Sequence, residues 1–533
     1  MKTAVLTGIL LLGLILRTVW LDKYPPGLTP DEAAFGYNAY SVLQTGSDEW
    51  GTPWYRLAFT NLRSFGDYKL PMYVFLALFP VKIFGLSEFA VRLPNALIGT
   101  LAVAAVYLLG SKLFSAKTAL WAAFLLAVSP WHIQLSRGAF EANLVTFFLP
   151  LGIYLFLTGS AVWSALVLGL NFYSYHSARL LTPLIVIILL MFKLPGKINR
   201  LIFIAALFIV TVPGLVSMTS GSIARVSDIG ITGPTDNWRS VADRRFTARQ
   251  SGLPDGLARL ISNKVQTVTS LYIHNYLTYF SGQFLFTSGA SEGTYGMLPG
   301  RGVLYIIELP LLLYFLVLLI RKPSPQMYLL LLLLLISPIP AALTKGPGYA
   351  ANRAVVMLPF LILAISFGLT HLIKNKLLTL ITITVYSLCL LFFLANYLYL
   401  SPSQIAPAML YGRREALTRV ASISGGLEEV RISRSLSEPH IYLAFFSRFS
   451  PAEYQMYSRN WPDPTTLGLK FLDQVDGYSL DKYRFGNLNF EAPVDHSVLY
   501  VGLPSDFPPD YPGLFRIDYP DGRPAVTVAA KNP

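Results

Sequence analysis

Asp31 and Glu32 are adjacent carboxylates just beyond the first apolar run of the chain. An ionised carboxylate can act as a general base, and the positive end of a helix dipole favours the ionised form. A structural explanation is also available, because Thr29 and Glu32 have the spacing of a capping box and Pro30 falls at the favoured first helical position. The local pattern therefore leaves both a catalytic and a structural role open.

Three basic residues could serve the chemistry that such a base implies. A general base can activate a hydroxyl for attack on a sugar. If a phosphate leaves that sugar, it needs nearby positive charge rather than an acid. Lys69, Arg92 and Arg353 lie at the predicted outer ends of apolar segments. Arginine can bind phosphate through two parallel hydrogen bonds, whereas lysine acts as a point charge. Each side chain could instead extend toward lipid headgroups.

A second acidic position is Glu141, which follows Arg137 by one helical turn. A carboxylate at a membrane boundary is costly unless it is paired or functional. Glu141 is therefore either a further catalytic residue or the ion-pair partner of Arg137. Arg137 is itself a candidate for binding the departing phosphate of the sugar donor. His132 and His176 are too scattered to indicate a metal, so the sequence predicts no metal site.

The composition indicates a membrane protein. Hydrophobic residues make up 53% of the chain and charged residues only 13%, against roughly 25% charged residues in soluble globular proteins. Apolar runs of about 20 residues recur, and each can cross a hydrocarbon core of about 30 Å. The pattern predicts a mainly α, polytopic fold. Its spans, about 11 in number, are 3–21, 91–111, 118–136, 140–158, 161–177, 178–193, 199–217, 302–320, 326–343, 353–372 and 377–398.

Short turns between the spans predict the orientation. Turns that contain lysine or arginine without aspartate or glutamate face the cytoplasm, which places the N-terminus inside. The net charge of +13 follows largely from this bias, so no nucleic-acid partner is predicted. The basic turns are Lys112 with Lys117, Lys193 with Lys197 and Arg200, Arg321 with Lys322, and Lys374 with Lys376.

With this orientation of the spans, three large segments lie outside the cytoplasm: the loops 22–90 and 218–301, and the tail 401–533. Within the first loop, the apolar segment 71–84 is short for a crossing. Because Pro80 also interrupts it, we expect an interfacial or re-entrant helix on the outer face.

The chain divides into a membrane domain, residues 1–400, and a soluble α/β domain, residues 401–533. The tail is large enough for a core of its own. Alternating polarity at 440–446 and 497–501 is typical of strands, and residues 520–524 carry a turn signal. The lone cysteine, Cys389, excludes disulfides within the chain.

A set of short motifs follows in order along residues 1–400. In this order they resemble the GT-C fold membrane glycosyltransferases, the superfamily of the dolichyl-phosphate-mannose protein mannosyltransferases and the lipid A aminoarabinose transferases. The motifs are Asp31-Glu32 with Gly36-Tyr37, Lys69-Leu-Pro71, 84–94, Ser129-Pro130 with Arg137, Phe284-Leu-Phe286 with Gly289, Glu308-Leu-Pro310, Pro338-Ile-Pro340, and Asn352-Arg353 with Pro359.

The resemblance implies an inverting transfer of a sugar from a polyprenyl-phosphate carrier to an acceptor hydroxyl, outside the cytoplasm and without an obligatory metal or other cofactor. It implies Asp31 as the catalytic base with Glu32 beside it, and it places Lys69 and Arg353 near the donor phosphate. Many members have Asp where this chain has Glu141, which leaves the role of that residue open. The acceptor could be a protein, a lipid or a glycan, and the expected location is a bacterial or archaeal plasma membrane.

Two other functions remain open. A transporter or flippase of lipid-linked sugars needs polar residues at the membrane midplane, whereas the acidic residues here gather at the predicted outer ends of spans. A non-catalytic scaffold would use the domain 401–533 as its working part. The sequence contains no P-loop and no well-placed dinucleotide fingerprint, which disfavours a nucleotide-driven pump.

Overall fold

The computed structural model describes residues 2–192, 199–218, 230–232, 236–290, 292–345 and 350–532. The described chain is mainly helical, as predicted. Its α-helices are α1 Lys2–Thr18, α2 Pro30–Thr45, α3 Trp54–Leu57, α4 Met72–Phe84, α5 Glu88–Leu113, α6 Ala116–Val128, α7 Pro130–Ser136, α8 Val145–Leu157, α9 Ala161–Asn171, α10 His176–Met191, α11 Arg200–Ser217, α12 Asp236–Gln250, α13 Asp255–Ile261, α14 Lys264–Thr278, α15 Leu309–Arg321, α16 Pro325–Ile336, α17 Ile339–Ala342, α18 Ala351–Ala354, α19 Leu358–Leu372, α20 Lys376–Ala395, α21 Ser401–Ile405, α22 Arg413–Ile423, α23 Pro439–Ser447 and α24 Pro451–Ser458.

The apolar segments form helices because a backbone in lipid must satisfy its hydrogen bonds within its own segment. In the described ranges, five helices are long and apolar enough to cross a membrane, or six if the bent pair α6 and α7 forms one span. That pair bends by 57° where Ser129 caps α7. The chain is therefore an integral membrane protein, while the number of about 11 spans stays a prediction.

Two of the predicted cytoplasmic turns lie side by side. The Lys117 ammonium donates a hydrogen bond to the carbonyl of Ile373 at 2.7 Å, next to the basic turn at Lys374. This contact agrees with the proposed threading, in which both turns share one face. The turn with Lys193 and Lys197 lies outside the described residues.

The segment 71–84 forms α4, a helix of 13 residues. At 1.5 Å per residue it spans about 20 Å, less than the hydrocarbon core of about 30 Å. Tyr73 and Val74 are fully buried on one face, whereas Phe79 is 71% exposed on another. This length and this division suit the expected interfacial helix.

The tail folds around a six-stranded sheet, which confirms the predicted α/β domain. The strand order is β4-β5-β3-β6-β8-β7. Strand β3 is parallel to both β5 and β6, and the other neighbouring strands are antiparallel. A separate hairpin of β1 and β2 lies in the first loop. The strands are β1 Leu62–Ser64, β2 Asp67–Lys69, β3 Glu429–Ser433, β4 Tyr478–Leu480, β5 Tyr483–Gly486, β6 Val498–Gly502, β7 Gly513–Asp518 and β8 Pro524–Lys531.

The strand predicted at 440–446 is wrong, because this segment is part of helix α23. Pro439 suits the first helical turn. The residues from Pro439 to Phe445 are all buried, so their alternating polarity did not report a half-exposed strand. The segment 497–501 does form a strand, β6, and residues 520–524 lie at the turn between β7 and β8.

The first loop and the tail share one apolar core. Ala33, Phe35 and Tyr37 of α2 cluster with Leu443 and Phe445 of α23. This burial fixes α2 against the tail, because the removal of apolar surface from water is the main favourable term in packing. The helix that carries Asp31 is therefore held from both domains.

Candidate active site

Asp31 lies in the first turn of α2, and the cap of this helix is the predicted one. Thr29 Oγ1 accepts a hydrogen bond from the Glu32 N–H at 3.2 Å, and Glu32 Oε2 accepts one from the Thr29 N–H at 3.0 Å. Pro30 occupies the first helical position. The Asp31 side chain takes no part in this box and is 41% exposed.

Lys69 is the partner of Asp31. Its ammonium lies 2.8 Å from Asp31 Oδ1, yet the lysine side chain is only 1% exposed. The ring of Phe65 covers the same ammonium, with the nitrogen 3.7 Å from the ring centroid. A buried cation beside a half-exposed carboxylate is an arrangement typical of reacting sites, because burial strengthens the electrostatic interaction.

Glu32 and Arg92 are both fully buried and bind each other. The Arg92 guanidinium donates to Glu32 Oε1 at 2.9 Å and to Oε2 at 3.3 Å. Glu32 Oε1 also accepts from the Ala139 N–H at 2.9 Å, and Arg92 donates to the carbonyls of Leu21 and Pro25. This network joins α2, α5 and the segment after α7, so its polar groups are directed into the protein.

Arg137 is likewise directed inward. Its guanidinium donates to the carbonyls of Leu16 and Val19 at 2.9 and 2.8 Å, at the end of α1. Cations are favourable at such helix C-termini, so Arg137 caps the end of α1. The two roles considered for Glu141, catalysis and pairing with Arg137, stay predictions. Glu141 is half-buried at the start of a 3₁₀ helix.

Arg353 lines a separate cavity of about 340 Å³. Arg179 and His176 line the same cavity, together with apolar side chains such as Leu180 and Leu343. Arg353 donates to Thr344 Oγ1 and to the carbonyl of Lys345 at 2.7 and 2.8 Å. Two guanidinium groups in a mainly apolar cavity suit an anionic head with an apolar tail.

One contact joins this cavity to the hairpin that carries Lys69, the partner of Asp31. His176 Nε2 lies 3.1 Å from the carbonyl oxygen of Tyr68, the neighbour of Lys69. Burial raises the pKa of the Tyr295 phenol, and the charge of Asp31 raises it further while that of Arg353 opposes the shift. The structure brings together Asp31 and Lys69, and it places Arg353 in a cavity that His176 and Tyr68 join to them. Glu32, Arg92 and Arg137 bind protein groups of the surrounding framework.

Several residues of this region were missed from the sequence. Arg179 falls inside a predicted apolar span, and an arginine there is itself a signal of function. Glu292 lies near Arg353, and its Oε2 accepts a hydrogen bond from the Asn352 N–H at 3.0 Å. Burial raises the pKa of Glu292 to about 7. Glu292 stands alone in the loop 218–301, so no spacing with other residues indicated it as a candidate site residue.

The two histidines considered for a metal have different partners. His132 lies 2.7 Å from the Arg17 guanidinium and 2.9 Å from Thr146 Oγ1, whereas His176 faces the backbone of Tyr68. Among the described residues, no three His, Cys, Asp or Glu side chains gather closely enough to hold a metal ion.

Comparison with protein families finds one match. The model of the dolichyl-phosphate-mannose-protein mannosyltransferase family matches residues 69–216, a range that begins at Lys69 and includes Arg179. No curated protein sequence matches the chain significantly.

Solved structures of similar fold include two of ArnT from Cupriavidus metallidurans. The complex with undecaprenyl phosphate has a TM-score of 0.56 and 13% sequence identity, over 98% of this chain and 97% of that one. The apo form has a TM-score of 0.54 and 12% identity, over 99% and 98%.

An oligosaccharyltransferase from Archaeoglobus fulgidus matches with a TM-score of 0.46 and 14% identity, over 83% of this chain. The chain spans 61% of the length of that enzyme. The agreement with ArnT extends over nearly the whole chain, so this protein has the GT-C fold of membrane glycosyltransferases, as its motifs predicted.

Proposed function

We propose that the protein is an inverting glycosyltransferase that moves a sugar from a polyprenyl-phosphate carrier to an acceptor hydroxyl outside the cytoplasm. The observation that carries this proposal is the half-exposed Asp31, paired with a buried Lys69, next to an apolar cavity with two guanidinium groups. The family match and the ArnT complex with undecaprenyl phosphate support the same class of donor.

Asp31 serves as the general base in this mechanism. Its carboxylate takes the proton of the acceptor hydroxyl while the hydroxyl oxygen attacks the anomeric carbon from the face opposite the phosphate. The new C–O bond forms, the bond to the phosphate oxygen breaks, and its electron pair leaves with the phosphate. Direct displacement of this kind inverts the anomeric configuration, and a positioned base contributes about 10²–10⁴ in rate.

Arg353 and Arg179 bind the departing phosphate. Preorganised cations stabilise the charge that develops on a leaving group and need no reorganisation during the reaction. Leu180 and Leu343 line the same cavity and suit the isoprenoid carbons next to the phosphate. Lys69 pairs with Asp31, and its neighbour Tyr68 contacts His176, which lines the cavity.

Glu32, Arg92 and Arg137 position the site rather than react. Every guanidinium hydrogen bond described above for Arg92 and Arg137 ends on a protein oxygen, and those of Arg92 to Glu32 and Leu21 are buried. Removal of such a partner leaves a charge buried and unpaired, which costs about 3–5 kcal/mol. We assign these three residues to the stability of the first loop.

The proposal is tested with purified protein in lipid nanodiscs and a set of radiolabelled polyprenyl-phosphate sugars. A membrane extract supplies acceptors, and labelled nucleotide sugars supply the comparison. Transfer of label from a lipid-linked sugar only, with release of polyprenyl phosphate, is the expected result. Transfer from the nucleotide sugars, or movement of intact lipid-linked sugar across the bilayer without transfer, would overturn it.

A further inference from the structure

The tail domain has a groove at the carboxyl ends of its parallel strands. Strand β3 lies between β5 and β6 and is parallel to both, and the chain visits one side of β3 before the other. In open α/β sheets, the crevice outside the carboxyl ends of strands at such a point is where ligands bind. The groove here has a volume of about 960 Å³.

Residues close after each of these strands line the groove. Ser435 lies two residues after β3, Asn487 directly follows β5, and Asp506 lies four residues after β6. They are preorganised: Ser433 Oγ lies 2.8 Å from Ser435 Oγ, which in turn donates to Asp506 Oδ2. Asp506 Oδ2 also accepts from the Leu503 N–H at 2.7 Å.

The remaining polar lining is balanced in charge. Arg434 and Lys470 contribute two positive charges, and Asp473 and Asp506 contribute two negative charges. A phosphate or a strongly acidic ligand would meet both carboxylates, whereas a neutral ligand rich in hydroxyls can donate to the carboxylates and accept from the cations. Phe471 adds an aromatic face. This combination suits a neutral sugar.

The groove is joined to the candidate active site. The Leu472 N–H donates to the carbonyl of Phe65 at 3.1 Å, and the ring of Phe65 covers the Lys69 ammonium. At Gly66, a Cβ would come within 2.7 Å of the carbonyl oxygen of Lys470. The segment that forms one wall of the groove therefore rests directly on the turn of the β1–β2 hairpin, whose last residue pairs with Asp31.

We propose that this groove binds the acceptor of the reaction and that the acceptor is a neutral glycan. The assignment rests on the proposed transferase function. A glycan seated against residues 470–472 extends toward Asp31 along the hairpin, so the groove selects the acceptor and the membrane cavity selects the donor.

Direct binding tests the groove without the transfer reaction. Full-length protein in nanodiscs, prepared without sugar-based detergents, is applied to an array of neutral and acidic oligosaccharides. The Ser435→Trp variant fills the groove, and Arg434→Ala removes one donor from its wall. The matched controls are Ser422→Trp on α22 and Arg459→Ala, both exposed and outside the groove.

The expected result is capture of neutral oligosaccharides by the parent protein and both controls. Capture weakens at least about tenfold in Arg434→Ala, the effect of losing one or two hydrogen bonds, and is lost in Ser435→Trp. Capture of acidic oligosaccharides only, no capture, or unchanged capture by both groove variants overturns the proposal. Asp31→Asn separates the two functions, because it removes transfer while leaving capture at the parent level.

Discussion

Asp31 is half exposed and Glu32 is fully buried, although one peptide bond separates them. Asp31 keeps one side toward solvent and one toward the Lys69 ammonium, so a hydroxyl can approach it. Glu32 has its acceptor positions filled by Arg92, Thr29 and Ala139. The same two-residue motif therefore contains a candidate base and the group that fixes its helix.

Arg353→Gln tests the assignment of the membrane cavity. Charged hydrogen bonds contribute roughly 1.5–3 kcal/mol, so we expect the affinity for undecaprenyl phosphate to fall about 10- to 100-fold. Inhibition of transfer by added undecaprenyl phosphate measures this affinity. Arg459→Gln, an exposed arginine of the tail, serves as the control and should behave as the parent. Equal inhibition of both variants would remove Arg353 from the phosphate site.

Glu49 is a buried carboxylate of the first loop, and it gives the stability a pH dependence. Burial raises its pKa to about 7, while the hydroxyl of Ser64 and the charge of Lys69 oppose the shift. The folded state therefore holds this proton at pH values where the unfolded chain has released it. The resulting penalty is absent below about pH 4.5, grows as the pH rises and is complete above about pH 7.

Glu49→Gln should accordingly stabilise the protein at high pH. We expect an increase in the free energy of unfolding of roughly 3 kcal/mol at pH 8 and little change at pH 4.5. Thermal unfolding of the purified variant at the two pH values measures this difference. An equal shift at both would show that Glu49 is not the titrating group.

Helix α2 depends on its neighbours more than on its own sequence. The capping box was predictable because Thr29 and Glu32 are three residues apart, and local spacing determines such a cap. The ion pair of Asp31 with Lys69 was not predictable in this way, because 38 positions separate the two residues in the sequence. The strands β1 and β2, with three residues each, are too short to show a period, yet they bring Lys69 to α2.

Glu32→Gln and Arg92→Met should each lower the free energy of unfolding by about 3–5 kcal/mol, because each leaves a buried partner without its counter-charge. The double variant should cost less than the sum of the two changes, since it leaves no uncompensated charge. Unfolding midpoints of the three purified variants measure the coupling. Strict additivity would show that the pair is energetically independent.

The whole molecule combines a membrane helix array with a tail that closes over the first loop. Tyr442 donates to the carbonyl of Leu28, and Tyr37 donates to that of Phe449. The composition made the membrane domain and the existence of an α/β tail predictable. The docking between them was not, because buried segments such as 439–445 lack the polar face that identifies an element and its orientation.

Gly36 is a point of close approach between these parts. A Cβ at this position would lie 2.5 Å from the ring of Phe445 and 2.5 Å from Val91, so Gly36→Ala forces α2 away from α23 or α5. Overpacking of this kind costs about 1–3 kcal/mol, and we expect lower thermal stability together with slower transfer. Gly8→Ala, which has open space around it, is the matched control and should leave both unchanged. Normal stability and transfer in Gly36→Ala would exclude tight docking.

Single-turnover transfer by Asp31→Asn tests the central claim most directly. The variant keeps the shape of the side chain and removes the base, and Asp22→Asn, an exposed carboxylate of the same loop, is the control. We predict a rate lower by about 10²–10⁴ in Asp31→Asn, in protein that still inserts and folds, and the parent rate in Asp22→Asn. Transfer by Asp31→Asn at the parent rate would contradict the account.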